Sequence, residues 1–409
     1  MLPDFRPLQE ALLNRPNASS IALGLCLLAA MMEGFDIASM GVTAPRMMPA
    51  LGLARPEAGL AFSASLLGLF FGAAIAGPLS DRMGRKPVLV ASMTVFGLFS
   101  LATAAATNLP GLLTVRALTG LGLGGAMPML IAMSSELARP DRRALTVGMI
   151  TAGLPLGGAL AGLLARTDPA QHDWRLVFVV GGIAPLVLAV LVWRLMPETG
   201  VRAGADRSGP SDSAAWKALF SRGRLLQTLC LWISYAAIAL VLHLFLNWLP
   251  VMLVDRGITA SSAAGVATLF NLGGAAGGLL IGLAIDRLGA RWPLTSVFAA
   301  LVLVLLALAA PSGSLTLVSL LAFAAGLFIM AGQFGLYAIG PRYYADEVRG
   351  AGVGAAVAAG RLGSVIGPAA AGQMLGAGAS GGSVVLFTAP IVVAAAVAAL
   401  ILTVVGKRA

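Results

Sequence analysis

The stretch Gly77-Pro78-Leu79-Ser80-Asp81-Arg82-Met83-Gly84-Arg85-Lys86 decides how this chain is read. It is a short charged turn between two long apolar runs, and its core, Asp81-Arg82-Met83-Gly84, returns 205 residues later as Asp286-Arg287-Leu288-Gly289. A second echo has nearly the same spacing: Arg143, Val147, Gly148 and Gly157 match Arg349, Val353, Gly354 and Gly363, 206 residues on. Two independent matches at one spacing point to an internal duplication.

Outward from that turn the chain is almost continuously apolar. Of 409 residues, 58% are hydrophobic and only 11% charged, and mean hydropathy is +0.92, a composition that a water-solvated globule of this length does not carry. A bilayer-spanning helix needs about 20 largely apolar residues. Pro, Gly and charge clusters divide the chain into twelve such runs: 20–42, 58–79, 88–107, 111–133, 144–165, 176–195, 226–249, 262–284, 293–311, 315–339, 351–375 and 383–405. The predicted fold class is all-α integral membrane, with twelve transmembrane helices in two pseudo-symmetric six-helix bundles. The 51 glycines suit helices that associate in lipid by close backbone approach. One six-helix half is expected over residues 1–196 and the other over 225–409. Between them, 197–224 reads as a cytoplasmic linker, with Gly200, Gly204, Gly209 and Pro210 marking flexible backbone.

The formal net charge of +10 invites a nucleic-acid reading. The basic residues, however, recur at the ends of spans and never form a stripe with interleaved aromatics. Topology accounts for them. The N-terminus, every second loop and the C-terminus hold 20 of the 27 Lys and Arg, whereas the opposite loops hold only Arg46, Arg55, Arg166, Arg175 and Arg256. Both termini are therefore predicted to be cytoplasmic. The first 19 residues include Asp4, Arg6, Glu10 and Arg15 and lack the short apolar core of a signal peptide, so no cleaved leader is expected. Cys26 and Cys230 each fall inside an apolar run and read as packing residues.

Four charges sit well inside predicted spans: Glu33 and Asp36 in the first, Arg116 in the fourth and Arg361 in the eleventh. A charge at that depth costs several kcal/mol unless it faces a cavity or a partner. Glu33 and Asp36 are three apart and share a helix face; two carboxylates in a poorly hydrated site repel and raise the proton affinity of at least one. That is what proton coupling requires, and a static ion-pair network with Arg116 is the competing reading. Arg361 belongs to one half only, since its duplicate is Pro155. Its small neighbours in Gly360-Arg361-Leu362-Gly363-Ser364 leave room around a guanidinium, whose fork of donors matches a carboxylate. Arg361 thus reads as the anchor of an anionic substrate, with a salt bridge to an acid in a closed state as the alternative.

Candidate cavity-lining groups are Asn247 and Trp248 in the seventh span, Asn271 in the eighth, and Gln333 and Tyr337 in the tenth. Gln333 and Tyr337 share a face at four-residue spacing; aromatic side chains can sandwich a planar ring while amides satisfy its hydroxyls. Each of these is also an ordinary packing or interfacial residue type. His243 could shuttle protons, but a lone histidine within a span more often has no such role.

The charged turn at Gly77–Lys86 resembles the signature loop of the major facilitator superfamily. The resemblance implies the major facilitator fold and a conformational latch in which Gly77, Asp81, Arg82, Gly84 and Arg85, echoed by Asp286 and Arg287, hold the cytoplasmic side closed. Asp81 would then meet a helix N-terminus or a neighbouring Arg. The stretch from Arg116 through Thr119-Gly120-Leu121-Gly122-Leu123-Gly124-Gly125 is similar to the fourth-span motif of proton-coupled facilitators, which implies that Arg116 competes with proton or substrate for Asp36. Across the whole chain the closer resemblance is to the aromatic acid:H+ symporters. It rests on Glu33-Gly34-Phe35-Asp36 with Pro45, Val180 through Pro185 with Pro197-Glu198, Asn247-Trp248-Leu249-Pro250, and Tyr344 through Arg349 leading to Gly352-Val353-Gly354 and Arg361. Glu33 stands where aspartate is common in that family. The implied substrates are benzoate-like anions, hydroxylated aromatic acids or nicotinate, imported with protons through a bacterial-type inner membrane by a monomer.

Rival readings are a carrier of another organic anion, such as an aliphatic acid, and a drug efflux antiporter, faintly suggested by Gly153-Leu154-Pro155-Leu156-Gly157-Gly158. An apolar cation has no use for Arg361, and a sugar carrier would need more cavity amides and hydroxyls. A membrane enzyme would need a nucleophile with a base, or a metal cluster; only His172 and His243 are present, and neither has acidic ligands nearby within a span. A sensor would need an output domain longer than the linker. No metal, cofactor or nucleic acid is expected.

Overall fold

The computed structural model describes residues 18–198, 219–220, 225–344 and 346–405. Twelve long helices fill them: α1 (Ala18–Leu51), α2 (Arg55–Met83), α3 (Arg85–Ala104), α4 (Leu109–Leu137), α5 (Arg143–Ala165), α6 (Arg175–Leu195), α7 (Leu225–Val254), α8 (Ala260–Leu288), α9 (Arg291–Ala309), α10 (Leu315–Ile339), α11 (Asp346–Gly376) and α12 (Gly381–Val405). All twelve are long and apolar enough to cross a bilayer. They match the predicted runs, most of them with extra turns at one or both ends. A five-residue helix, Asp168–His172, precedes α6 and was not foreseen. Cys26 and Cys230 are buried free thiols.

The duplication reaches down to single hydrogen bonds. After α1, Gly52 adopts φ 63° and Leu53 N–H donates to Met48 O at 2.9 Å; after α7, Gly257 adopts φ 84° and Ile258 N–H donates to Leu253 O at 3.2 Å. Each is a helix stop in which a left-handed glycine turns the chain back onto the last carbonyls. The glycines of the repeated charged turn, Gly84 and Gly289, likewise share positive φ, 91° and 73°. Asn108 caps α4 through Gly111 N–H, and 206 residues later Ser314 caps α10 through Leu317 N–H.

Lipid tails are as apolar as leucine, so helices in a bilayer gain little from burying side chains and pack through small residues. Four such approaches recur in both halves with equivalent partners. A Cβ on Gly157 would lie 1.8 Å from Met31 O, and one on Gly363 would lie 2.0 Å from Ala236 O. Gly120 meets Ser65 O as Gly326 meets Phe270 O; Gly68 and Gly72 meet Ala117 O and Leu121 O as Gly273 and Gly277 meet Phe323 O and Leu327 O. These contacts pair α1 with α5 and α2 with α4, and equivalently α7 with α11 and α8 with α10.

The helices sort into two compact units. One holds α1, α3–α6 and α2 from Ala64 onward; the other holds α7–α12 with the first nine residues of α2. The sequence places the division in the linker, most of which lies outside the described residues. That the start of α2 groups with the second unit has a local cause. A Cβ on Gly59 would lie 2.9 Å from Pro368 O, Phe62 meets Trp248 edge to face at 5.1 Å, and Arg55 makes a bidentate pair with Asp255 at 2.8 and 2.9 Å.

Filling a repeated contact should therefore unfold either half. Gly157→Ala and Gly363→Ala are each expected to lower the melting temperature of the detergent-solubilised protein, overpacking costing about 1–3 kcal/mol. Gly148→Ala, where nothing lies within 4 Å of the added Cβ, should leave it unchanged or raise it. Equal melting temperatures for the three variants would refute close backbone approach as the packing device.

Candidate functional site

In the first unit the site is built by the same contacts that pack it. Gly120 presses α4 onto Ser65 O of α2. One turn earlier, this brings Arg116 Nη2 within 3.1 Å of Ser65 Oγ and 2.9 Å of Asp36 Oδ1. On α1, Gly34 lies against Leu154 of α5, which fixes α1 between its neighbours with Glu33 and Asp36 both buried. The sequence-predicted trio Glu33, Asp36 and Arg116 is thus placed in one unit. Asp36 is 0% and Arg116 1% exposed, and the guanidinium carbon sits 5.8 Å from the centre of the Phe178 ring.

The chemistry of this pair lies in what it leaves unmade. Asp36 Oδ2 and Arg116 Nε and Nη1 are buried with no hydrogen-bond partner. The exposed pair Arg55–Asp255, with 36% and 30% side-chain exposure, is by contrast fully bidentate. A single bond between buried charges repays their desolvation poorly, and a group left unpaired there is costly. The pair is thus incompletely satisfied where desolvation is greatest. Ser65 and Phe178 were not foreseen: a serine and a phenylalanine in a span carry no sequence signal.

In the second unit, Gly363 and Gly367 seat α11 on Ala236 O and Leu240 O of α7. Arg361, two residues before Gly363, is half-buried; its carbonyl accepts from Ser364 Oγ at 2.6 Å, while its guanidinium makes no hydrogen bond or ion pair to any described residue. His243 lies within electrostatic reach of it. Asn247, one turn beyond His243, donates to His243 O at 2.7 Å, and Asn271 donates to Ala267 O at 2.9 Å; both side chains are buried. Gln333 Nε2 donates to the Tyr337 hydroxyl at 2.9 Å, and the Tyr337 ring lies 5.1 Å from that of Tyr235. Trp248 packs between helices. It is fully buried, its Nε1–H donates to Pro368 O at 2.9 Å, and its ring packs on Phe62, so it joins helices and has no polar group left for a ligand.

The charged turn has a partner that the sequence did not announce. Asp81, Arg82, Asp286 and Arg287 are exposed at helix ends, and nothing lies within 4 Å of a Cβ added to Gly77. The N-terminus of α3 meets Glu198, whose carboxylate accepts from Lys86 N–H at 3.2 Å. A Cβ on Gly84 would come 2.7 Å from that carboxylate, so the positive φ and the absent side chain at Gly84 serve one contact. Lys86 Nζ donates to Met196 O at 2.7 Å, and Arg85 pairs with Glu136. Among the described residues no cluster of His, Cys, Asp and Glu could hold a metal ion.

The comparisons with known proteins agree with this architecture. The chain is 41% identical over 391 residues to the 3-(3-hydroxy-phenyl)propionate transporter of Escherichia coli, covering 95% of this chain and 96% of that one. It is 34% identical over 394 residues to the gallate transporter of Pseudomonas putida, covering 89% and 88%. Among solved structures, the xylose transporter XylE from E. coli superposes with a TM-score of 0.75 at 18% identity, covering 96% and 97%, a likeness of fold. The family model described as Major Facilitator Superfamily matches residues 26–368 and again 231–408, and the chain belongs to that superfamily.

Proposed function

We propose that this protein is a proton-coupled symporter that imports aromatic carboxylates by alternating access through the inner membrane, as a monomer with both termini cytoplasmic. The observation that carries the reading is the pair of complementary charge sites: a buried, singly bonded Asp36–Arg116 pair in one unit and an Arg361 without an ion partner in the other. In this reading Asp36 takes the proton, with Glu33 buried on the same helix face, and Arg116 holds the carboxylate when it is deprotonated. Arg361 receives the substrate carboxylate through its fork of donors. The expected latch at Gly77, Asp81, Arg82, Gly84, Arg85, Asp286 and Arg287 is proposed to work with Glu198 as its acid at the α3 N-terminus.

The energetics support coupling. A monoanion entering a negative-inside cell climbs about 2.3 kcal/mol per 100 mV. One proton carried with it makes the cycle electroneutral, so the pH gradient can drive accumulation. The identities of the relatives, which carry a hydroxyphenylpropionate and gallate by name, support an aromatic acid over an aliphatic one. An apolar drug cation finds no use for Arg361.

Purified protein in liposomes with an imposed inward proton gradient should accumulate labelled 3-(3-hydroxyphenyl)propionate or 4-hydroxybenzoate. Absence of uptake and of competition by every aromatic carboxylate would overturn the substrate assignment and turn the search to other organic anions.

Two variants separate the assigned roles. Asp36→Asn should abolish gradient-driven uptake while substrate binding, followed by intrinsic fluorescence, survives. Arg361→Ala should weaken binding itself by about 10- to 100-fold, the loss of a charged hydrogen bond costing about 1.5–3 kcal/mol. Full gradient-driven accumulation in Asp36→Asn, or unchanged affinity in Arg361→Ala, would contradict the respective role.

A further inference from the structure

His243 is a titratable side chain in the second unit's polar patch that coupling and carboxylate anchoring leave without a task. It is only 6% exposed, on the central part of α7. Its Nδ1 lies 2.9 Å from Ala239 O. A carbonyl oxygen only accepts, so Nδ1 carries the hydrogen, and in the neutral ring Nε2 carries the lone pair. Nε2 makes no hydrogen bond to any described residue, yet it is not among the buried polar atoms sealed off without a partner. A nearly buried acceptor therefore stays without a protein partner among the described residues and keeps a trace of accessible surface.

Its surroundings define what it can accept. Arg361 adds a positive charge within electrostatic reach of the ring. Asn247 sits one helical turn on and commits one amide hydrogen to His243 O; its Oδ1 is likewise neither bonded nor sealed. Two acceptors in adjacent turns beside a guanidinium match a ligand with an anion at one end and hydroxyl donors elsewhere. The aliphatic wall of α7 offers no other polar atom on these two turns: Leu244, Phe245, Leu246 and Trp248 are all buried, and the Trp248 N–H is already used.

We infer that His243 Nε2, with Asn247 Oδ1 beside it, accepts a hydrogen bond from a ring hydroxyl of the substrate, making His243 a specificity-determining residue that selects hydroxylated aromatic acids over their unsubstituted analogues. The inference rests on the aromatic-acid reading above and adds to it a reason for selection. An aromatic acid lacking the hydroxyl would cover the acceptors without pairing them, and a site built to bond a hydroxyl rejects the analogue without it far better than an apolar pocket discriminates by size. Proton relay through His243 is not required, because Nδ1 and Nε2 are already divided between a backbone carbonyl and the ligand.

The test compares two probes that differ by one hydroxyl, 3-(3-hydroxyphenyl)propionate and 3-phenylpropionate, as competitors of labelled substrate in proteoliposomes of the full chain. The wild type should favour the hydroxylated acid by roughly 10- to 100-fold. His243→Leu should bring the two inhibition constants within about threefold of each other, chiefly by weakening the hydroxylated acid. His243→Gln, whose amide oxygen can stand near the position of Nε2, should restore most of the preference. Equal weakening of both acids in His243→Leu would overturn the assignment and make His243 a support for Arg361. Wild-type indifference to the hydroxyl would overturn it without any variant, which keeps the test decisive if His243→Leu fails to fold. If neither acid competes in the wild type, the aromatic-acid reading itself falls; if both compete equally, that reading stands and only the hydroxyl assignment is lost.

Discussion

Everything in this molecule depends on backbone meeting backbone through glycine. In a bilayer the apolar surfaces of helices are already solvated by lipid, so the association of α1 with α5, or of α8 with α10, must come from close packing. A carbonyl within about 2 Å of where a Cβ would stand, as at Gly157 and Gly363, excludes every other residue type there. Such contacts fix helix rotation, and rotation fixes which side chains point inward. Gly120 on Ser65 O leaves Arg116 no choice but to meet Ser65 Oγ and Asp36. Gly363 on Ala236 O sets the rotation of α11 and with it the face on which Arg361 sits.

On this rigid frame the charges fall into two kinds. Those near helix ends are spent on structure. Arg46 donates to Ala165 O and Gln171, Arg175 to Ala104 O and Arg256 to Leu308 O, so three of the five arginines on the sparsely charged side hold the last carbonyls of α5, α3 and α9. A fourth, Arg55, is locked to Asp255. The intramembrane charges are spent incompletely: Arg116 keeps two buried nitrogens unbonded. Incomplete pairing where desolvation is greatest is unfavourable for stability, and the contrast with the fully bidentate exposed pair is the physical ground for the proposal that the buried pair does more than hold helices together.

The spans, the duplication and the four intramembrane charges were legible in the sequence because each violates a strong expectation of its surroundings: polar turns between apolar runs, or charge inside them. Asp36 and Arg116 could be paired in advance for the same reason, since a buried charge demands a partner. What was not legible are groups whose role comes from packing direction alone. Ser65 enters the site because Gly120 puts it there. Trp248, expected at a cavity, turns its N–H to Pro368 O because α7 and α11 approach closely at that level. Glu198 reaches the α3 N-terminus from a position three residues past the end of α6, a distance along the chain that gives no hint of proximity to Gly84.

The duplicated halves also show how a scaffold is separated from a site. The contacts that repeat are made by glycines, main-chain groups and the helix-capping side chains of Asn108 and Ser314. Every charged or amide group of the candidate site stands opposite an apolar residue in the other half: Glu33 against Ile238, Asp36 against Val241, Arg116 against Ala322, Arg361 against Pro155, His243 against Ala38, Asn247 against Val42 and Gln333 against Met127. The carboxylates therefore sit only in the first half and the unpaired guanidinium only in the second. Had both been kept in both halves, each arginine would have found an acid within its own unit and the charges would have cancelled as structural pairs. Divergence at these few positions, on a frame held by unchanged glycines, is what leaves buried carboxylates in one half and a guanidinium without an ion partner in the other.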